Sequence, residues 1–234
     1  MTLPILLIPG LNCTSEVWAS QTPALWSRGP VTIANHTIGS SISEIAANIL
    51  AAAPPSFALG GISMGGYIAF EVWRQAPQRV RGLALVDTSA RPDTPEATER
   101  RRAAMALAGQ GKFAQVIAAA FPLAVHPDNV ENAAMKALHT RMGLAIGLET
   151  YLRQQQAIIG RPDSRPDFGA IEVPTIVLVG DKDAITPPEV AQEMADGIRG
   201  AALTTIPNAG HMALVEQPEA VNAALLSWLD GLSR

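Results

Sequence analysis

The segment GGISMGG at positions 60–66 constrains the fold more than any other part of the sequence. The apolar run at 57–60 predicts a buried strand, and residues 64–75 predict a helix. A chain that turns so sharply from strand to helix needs a strained backbone, and neighbours without a Cβ relieve the crowding. We therefore expect a tight strand–turn–helix unit that lifts the hydroxyl of Ser63 above the edge of a sheet.

Short β-rich runs alternate with helical stretches along most of the chain. Ser41 and Glu44 have the spacing of a capping box at the start of one helix. The alternation is typical of a parallel sheet covered by helices on both faces. Strands are predicted at 5–8, 31–34, 57–60, 82–86, 175–179 and 202–206, and helices at 15–26, 42–52, 64–75, 189–198 and 218–229.

One long segment interrupts the alternation. Residues 93–165 hold helical patterns without a convincing strand, and about seventy residues are too many for one crossover helix. We predict a small helical lid over the end of the sheet, inserted into a core domain formed by residues 1–92 and 166–234. The stretch at 161–169, RPDSRPDFG, is expected to be the exit linker.

Composition excludes several other classes of protein. The 234 residues carry a net charge of -4 and no basic stripe, which argues against nucleic-acid binding. Residues 45–70 are uncharged, but prolines and glycines interrupt them, so two core elements are expected rather than a membrane span. Cys13 is the only cysteine and is expected to be a small buried residue; its solitude fits a reducing, cytoplasmic location.

The glycine-rich turn has the pattern G-x-S-x-G, which places a nucleophilic serine between a strand and a helix. The alternative is a phosphate-binding loop, but the spacing is not G-x-G-x-x-G and no Lys-Ser/Thr pair follows. Ser63 is thus a candidate nucleophile. The free backbone N–H of Met64, at the start of the helix, would stabilise an oxyanion.

A serine nucleophile needs a base and a group that orients the base. His211 follows the last predicted strand, at the edge of the sheet where Ser63 lies, and the histidines show no metal-ligand spacing. Asp181 and Asp183 both follow the strand at 175–179, and Asp87 follows the strand at 82–86. These residues leave the choice among three aspartates open. A second oxyanion donor would be the N–H of Leu11, after the first strand.

Five motifs in order resemble the α/β-hydrolase family across nearly the whole chain. They read LLIPGLN, GGISMGGYIAF, ALVDTSARPD, PTIVLVGDKDAITPP and IPNAGHMALVEQPEAV. The resemblance implies Asp183 as the acid of a Ser63–Asp183–His211 triad, with no metal or cofactor. A serine at the turn argues against the dehalogenases and epoxide hydrolases of the family. The chain looks most similar to small esterases of the pimeloyl methyl ester esterase type and to enol-lactonases.

The sequence departs from the family pattern in three places. Pro9 stands where many members have a histidine before the glycine of the first loop, which affects the oxyanion geometry. The usual antiparallel pair before the first strand is missing, so about six mainly parallel strands are expected. The segment at 36–39 is shorter than in many members, which could widen the entrance of the site.

The resemblance implies an esterase for short or medium acyl or aryl esters, acting through an acyl-enzyme. A lactonase or a carbon–carbon bond hydrolase with the same triad is an alternative, and so is a non-catalytic receptor. The run Arg100–Arg102 could dock an acidic carrier protein, although a solvated helix face is the simpler interpretation. The expected pocket walls, besides Leu11 and Met64, are Trp18, Ile185, Met212, Phe113, Phe121, Met135 and Met142.

Overall fold

The computed structural model describes residues 2–232, and within them six parallel strands form one sheet. The strand order is β2-β1-β3-β4-β5-β6, and no antiparallel pair occurs in the described residues. The predicted fold class is thereby confirmed. The strands are β1 Ile5–Ile8, β2 Val31–Ile33, β3 Phe57–Ile62, β4 Val80–Val86, β5 Thr175–Gly180 and β6 Ala202–Ile206.

Helices cover both faces of the sheet. They are α1 Gln21–Leu25, α2 Ile42–Ala52, α3 Met64–Gln75, α4 Pro95–Leu107, α5 Phe113–Ala124, α6 Ala133–Ile146, α7 Leu148–Ile159, α8 Pro188–Gly197, α9 Ala213–Glu216 and α10 Pro218–Leu232. Within residues 2–232, no helix combines the length and the apolar character that a membrane crossing requires.

The core consists of two apolar clusters, one on each face of the sheet. Alternate residues of β1 point to opposite faces: Leu6 and Ile8 join α2, α3 and α8, whereas Ile5 and Leu7 join α1 and α10. All four side chains are at most 2% exposed. Burial of each one stabilises the fold by about 1.5–3 kcal/mol. This two-sided burial fixes the strand ends, and thus the positions of the loops that follow them.

The helix predicted at 15–26 is divided in two, and that prediction is corrected. Ser15–Trp18 forms a single tight turn, and α1 begins only at Gln21. Pro23 has no N–H to offer the carbonyl of Ala19, so a continuous helix would lose a hydrogen bond there. The hydroxyl of Thr22 donates to the carbonyl of Trp18 at 2.9 Å, beside the break.

The predicted cap of α2 is present on one side only. The N-cap Ser41 accepts a hydrogen bond from the N–H of Glu44 at 3.1 Å. The carboxylate of Glu44 reaches back to the N–H of Ser40 at 2.8 Å, one residue before the position that a capping box requires. The helix start was therefore predicted correctly, and the reciprocal bond has a different partner.

Helices α4 to α7 occupy residues 95–159. The structure describes the whole predicted insertion, residues 93–165, and no strand occurs in it. The two stems of the segment bind each other. Arg161 donates to the carboxylate of Asp93 at 2.9 Å, and the N–H of Ser164 donates to the carbonyl of Ala90 at 2.8 Å. The last part of the expected linker forms a tight helical turn, Arg165–Ala170. Paired stems are compatible with a lid insertion, which stays a prediction.

Candidate active site

Ser63 lies at the turn between β3 and α3, in a backbone conformation that side chains rarely adopt, with φ 54° and ψ -118°. Strain of this kind costs about 1–3 kcal/mol and persists only where the surroundings enforce it. A Cβ at Gly61 would collide with the carbonyl of Gly65, and one at Gly65 would collide with the carbonyl of Ile8. Both glycines of the motif are thus required by close backbone packing.

His211, in the loop after β6, reaches Ser63 across 148 positions of sequence. Its Nε2 lies 2.8 Å from the Oγ of Ser63, and its Nδ1 lies 2.8 Å from Oδ2 of Asp183. The carboxylate can only accept, so Nδ1 carries the hydrogen and Nε2 presents a lone pair to the serine hydroxyl. The three side chains therefore form one hydrogen-bonded chain.

Asp183 is held as a carboxylate by its own loop. Its Oδ1 accepts from the N–H groups of Ile185 at 2.8 Å and Thr186 at 2.9 Å, and its Oδ2 accepts from the Thr186 hydroxyl at 2.7 Å. Burial opposes the charge of Asp183, but His211 and the Thr186 donors outweigh it and hold its pKa below the usual value. The acid is thus ionised and its position fixed.

The other two aspartates brace the same site without touching the imidazole. Asp181 accepts from the N–H of Ala209 at 3.1 Å. Asp87 is fully buried and accepts from the N–H groups of Gly180 at 3.0 Å and Ala213 at 3.1 Å, which connects the acid loop to the histidine loop. Burial, reinforced by the nearby charge of Asp183, raises the pKa of Asp87 well above its usual value.

The loop after β1 lies directly against the serine. A Cβ at Gly10 would lie 3.2 Å from the Cβ of Ser63. The carbonyl of Gly10 accepts from Nε2 of His36 at 3.0 Å and from the N–H of Cys13 at 3.2 Å. The C=O and N–H of a trans peptide point in opposite directions, so these bonds also fix the direction of the Leu11 N–H. That N–H has no acceptor among residues 2–232.

His36 is buried, with 2% exposure, and burial lowers its pKa to about 4. It is therefore neutral, and its hydrogen lies on Nε2 because the carbonyl of Gly10 can only accept. Sequence reasoning singled out residues 36–39 only as a shortened loop. The role that was missed is that of His36, whose imidazole binds the loop in which Pro9 replaces the usual histidine.

Two further polar residues of the site were missed. Thr186 binds the acid as described above, and the Asp-x-x-Thr spacing of an Asx turn could have revealed it. Glu216 is 7% exposed and accepts from the N–H groups of Gly210 at 2.7 Å and His126 at 2.6 Å. It connects the histidine loop to the segment between α5 and α6. This contact joins distant parts of the chain and cannot be predicted from the local sequence.

A cavity of about 550 Å³ opens above Ser63 and His211. Leu11, Ile185 and Met212 line it, as predicted from the sequence. Cys13 also lines it: the residue as a whole is partly buried, and burial of its thiol raises the pKa to about 12. The thiol is thus uncharged in the wall of the cavity rather than deep in the core.

The remaining expected walls do not line the cavity, and the prediction is corrected for them. Trp18, Phe121 and Met142 are fully buried in the apolar cluster of one sheet face, and Met135 packs against that cluster. Phe113 packs on the ring of Tyr151, with centroids 5.3 Å apart. The side chain of Met64 is likewise buried, in the cluster on the opposite face. Burial of a large apolar side chain in the core stabilises the fold more than its partial exposure in the wall of an open cavity.

The same geometry bears on two other sites considered from the sequence, a metal site and a docking surface for a carrier protein. No group of three or more His, Cys, Asp or Glu side chains suited to a metal ion occurs in residues 2–232. Of the three arginines considered for docking, Arg100 and Arg102 are exposed, whereas Arg101 lines the cavity. The run is therefore not one continuous solvated face.

A parallel sheet with serine, histidine and aspartate joined at its carboxyl edge defines a hydrolase of the α/β class. The chain belongs to the alpha/beta hydrolase fold family, whose model matches residues 26–218. The predicted family is thereby confirmed.

Similar proteins span nearly the whole chain. A thermophilic esterase from Thermogutta terrifontis, studied with malate bound, has a TM-score of 0.89 and 31% identity, covering 99% of this chain and 91% of that one. A pimeloyl-acyl-carrier-protein methyl ester esterase of Neisseria meningitidis serogroup B is 27% identical, covering 89% of this chain and 84% of the relative. A candidate carbamate hydrolase of Variovorax paradoxus is 25% identical, covering 98% and 92%.

Proposed function

We propose that this hydrolase is a serine carboxylesterase, with Ser63 as nucleophile, His211 as base and Asp183 as the acid that orients it. The observation that carries the proposal is the pair of 2.8 Å contacts that joins the three side chains beneath an open cavity. Contacts of this length lie within the reach that proton transfer requires.

In the acylation step, Nε2 of His211 takes the proton of Ser63 while Oγ attacks the ester carbonyl. The N–H groups of Leu11 and Met64 stabilise the oxyanion, the first because Gly10 is fixed and the second because it begins a helix. The imidazolium then gives its proton to the departing alcohol, and an acyl-enzyme forms. Asp183 stabilises the imidazolium throughout and stays ionised.

In the deacylation step, His211 accepts a proton from water, which attacks the acyl-enzyme carbonyl. Collapse of the second oxyanion releases the carboxylic acid and returns the proton to Ser63. The net reaction consumes one water and yields one acid and one alcohol, with no metal or cofactor in any step. A neutral imidazole at His211 is needed at the start of both steps, because only its free lone pair can accept the proton.

The esterase hypothesis is favoured because two of the similar proteins are named as esterases. Carbamate hydrolysis is a second candidate because one relative bears that name. Lactone hydrolysis and carbon–carbon bond cleavage use the same triad and are distinguished by their products. A non-catalytic receptor is disfavoured, because a chain without turnover has no need of a strained serine in contact with its base.

The proposal is tested with para-nitrophenyl esters of rising acyl length, run beside lactones, diketones and aryl carbamates. We expect the esters to give the highest kcat/KM. Ser63→Ala should lower kcat by roughly 10⁴- to 10⁶-fold, because the triad acts as a unit. Ser27→Ala, on an exposed surface, is the matched control. Full ester turnover in Ser63→Ala would refute the assignment, and a preference for carbamates would replace the substrate class.

A further inference from the structure

The cavity above Ser63 has an unbalanced charge. Arg101 and Lys112 line it, and among the described residues that line it there is no aspartate or glutamate. Lys112 forms no ion pair with any residue in 2–232. A largely apolar cavity whose charged lining residues are cationic favours an anionic group, because low polarisability strengthens the attraction.

Arg101 is held in place rather than extended into solvent. Its Nε donates to Asp93 at 3.1 Å, and its Nη1 donates to Oε1 of Gln155 at 2.9 Å. Gln155 is fixed in turn by its own bond to the hydroxyl of Tyr151 at 3.0 Å. Nη2 of Arg101 has no acceptor among the described residues. The guanidinium is thus oriented in advance, with donor capacity left for a ligand.

The charge of Arg101 is not neutralised by its partner. Asp93 accepts from Arg161 at 2.9 Å as well as from Arg101, so two guanidinium groups share one carboxylate. Burial alone would raise the pKa of Asp93, but the two arginines lower it below its usual value. Asp93 therefore carries a full negative charge. One positive charge therefore remains uncompensated at this end of the cavity.

Arg101 also lies beside the more buried part of the cavity wall, and its own side chain is 22% exposed. Tyr151 and Gln155, beside it, are 1% and 5% exposed, whereas Leu107 and Ile185 are 44% and 45% exposed. An alcohol that departs through the more exposed side would leave the acyl part, which stays on Ser63, at the more buried side. In that orientation the free end of the acyl chain would meet the guanidinium.

We propose that this protein selects esters whose acyl chain ends in a carboxylate, that is, hemiesters of dicarboxylic acids, and that Arg101 is the residue that recognises the free carboxylate. The inference rests on the proposed esterase activity. In the reaction, the bond between Ser63 Oγ and the ester carbonyl forms while the bond to the alkoxide breaks. The proton passes through His211 to the alcohol, and water then releases a dicarboxylate. The distal carboxylate takes part in binding only.

The test compares mono-para-nitrophenyl adipate with para-nitrophenyl hexanoate, which have the same acyl length and the same leaving group. We expect the adipate hemiester to have the higher kcat/KM. Arg101→Gln should lower the ratio of the two kcat/KM values by about 10- to 100-fold, mainly through KM of the hemiester, as expected for a lost charge-assisted hydrogen bond. Arg101→Lys keeps the charge and should recover part of the ratio. Thermal unfolding checks that the variants are folded. We expect them to be, because Asp93 keeps its ion pair with Arg161.

Arg100→Gln and Arg102→Gln are the matched controls. Each removes one positive charge from the same run, but neither side chain lines the cavity, so the ratio should stay within about twofold of the wild type. An equal fall of the ratio in all three variants would attribute the preference to long-range attraction and overturn the role of Arg101. A wild-type preference for the hexanoate would overturn the substrate class.

The outcomes separate this inference from the esterase proposal. If neither ester is hydrolysed in a Ser63-dependent manner, the esterase proposal itself fails. If the hexanoate is hydrolysed through Ser63 but the hemiester is no better, only the dicarboxylate inference fails. Ser63→Ala also supplies the blank for spontaneous hydrolysis of the activated esters.

Discussion

His36 should control the loop that we propose binds the oxyanion, although it does not contact Ser63, Asp183 or His211. Its Nε2–H donates to the carbonyl of Gly10 at 3.0 Å, and that carbonyl shares a peptide unit with the Leu11 N–H. His36→Phe keeps a ring of similar volume but removes the donor. His36→Gln can keep a donor, because its amide nitrogen reaches about as far from the backbone as Nε2 does.

The size of the effect follows from what the loop is proposed to do. Removal of a whole oxyanion donor lowers kcat by roughly 10²- to 10³-fold in other enzymes. In His36→Phe, the Cys13 N–H still holds the Gly10 carbonyl, so the Leu11 donor is displaced rather than lost. We therefore expect a fall in kcat of about 10- to 50-fold, with a much smaller change in KM.

The assay pairs steady-state hydrolysis of a neutral nitrophenyl ester with inhibition by a trifluoromethyl ketone, whose adduct with Ser63 carries an oxyanion. In His36→Phe the inhibition constant should rise in parallel with the fall in kcat/KM, and His36→Gln should restore most of both. Thermal unfolding shows whether the variants are folded. A folded His36→Phe variant with kcat within twofold of the wild type would refute the reasoning.

Three other predictions concern stability. Gly65→Ala should lower the free energy of unfolding by more than about 2 kcal/mol, because the new Cβ would collide with the carbonyl of Ile8. Gly109→Ala should be neutral or slightly stabilising, because its Cβ would have nothing within 4 Å. Urea unfolding of the two variants tests both expectations. Glu216→Gln should cost about 2–4 kcal/mol, because an amide nitrogen then faces buried N–H donors; an unchanged melting temperature would contradict this. The pKa of His36 is lowered to about 4 in the folded state, so the unfolded chain binds a proton first as the pH falls below 6.5. Stability is thus present above pH 6.5 and lost towards pH 4, by about 3 kcal/mol, and His36→Phe should remove that part of the pH dependence in urea titrations.

The sheet and the meeting of Ser63, Asp183 and His211 were predictable because they obey rules that act within short stretches. A continuous run of buried residues indicates where a parallel strand ends, and the carboxyl ends of neighbouring strands meet at one edge. Ser63, Asp183 and His211 each follow a strand end, so their meeting needs only the strand order. The choice of Asp183 over Asp87 was different: both follow strands, and only the loop that turns after β5 directs one carboxylate to the imidazole.

The cavity walls were not predictable in the same way. Whether an apolar side chain on a lid helix closes the core or lines the cavity depends on how the helices cross, which the helical period does not specify. Phe121 and Ala120 are neighbours on α5, yet the first is buried in the core and the second lines the cavity. The hydrophobicity of Phe121 accounts for its burial, but it does not reveal that the side chain faces the core rather than the cavity.

Arg101 shows how the fold can separate chemistry from substrate selection. The reacting groups are held by loops of the sheet, whereas Arg101 is held by Asp93, which also closes the stem of the helical segment through Arg161. A change in that stem would reorient the guanidinium without moving the contacts between Ser63 and His211. Substitutions in residues 93–165 should therefore alter which acyl chains are accepted, while the strand ends keep the same reaction.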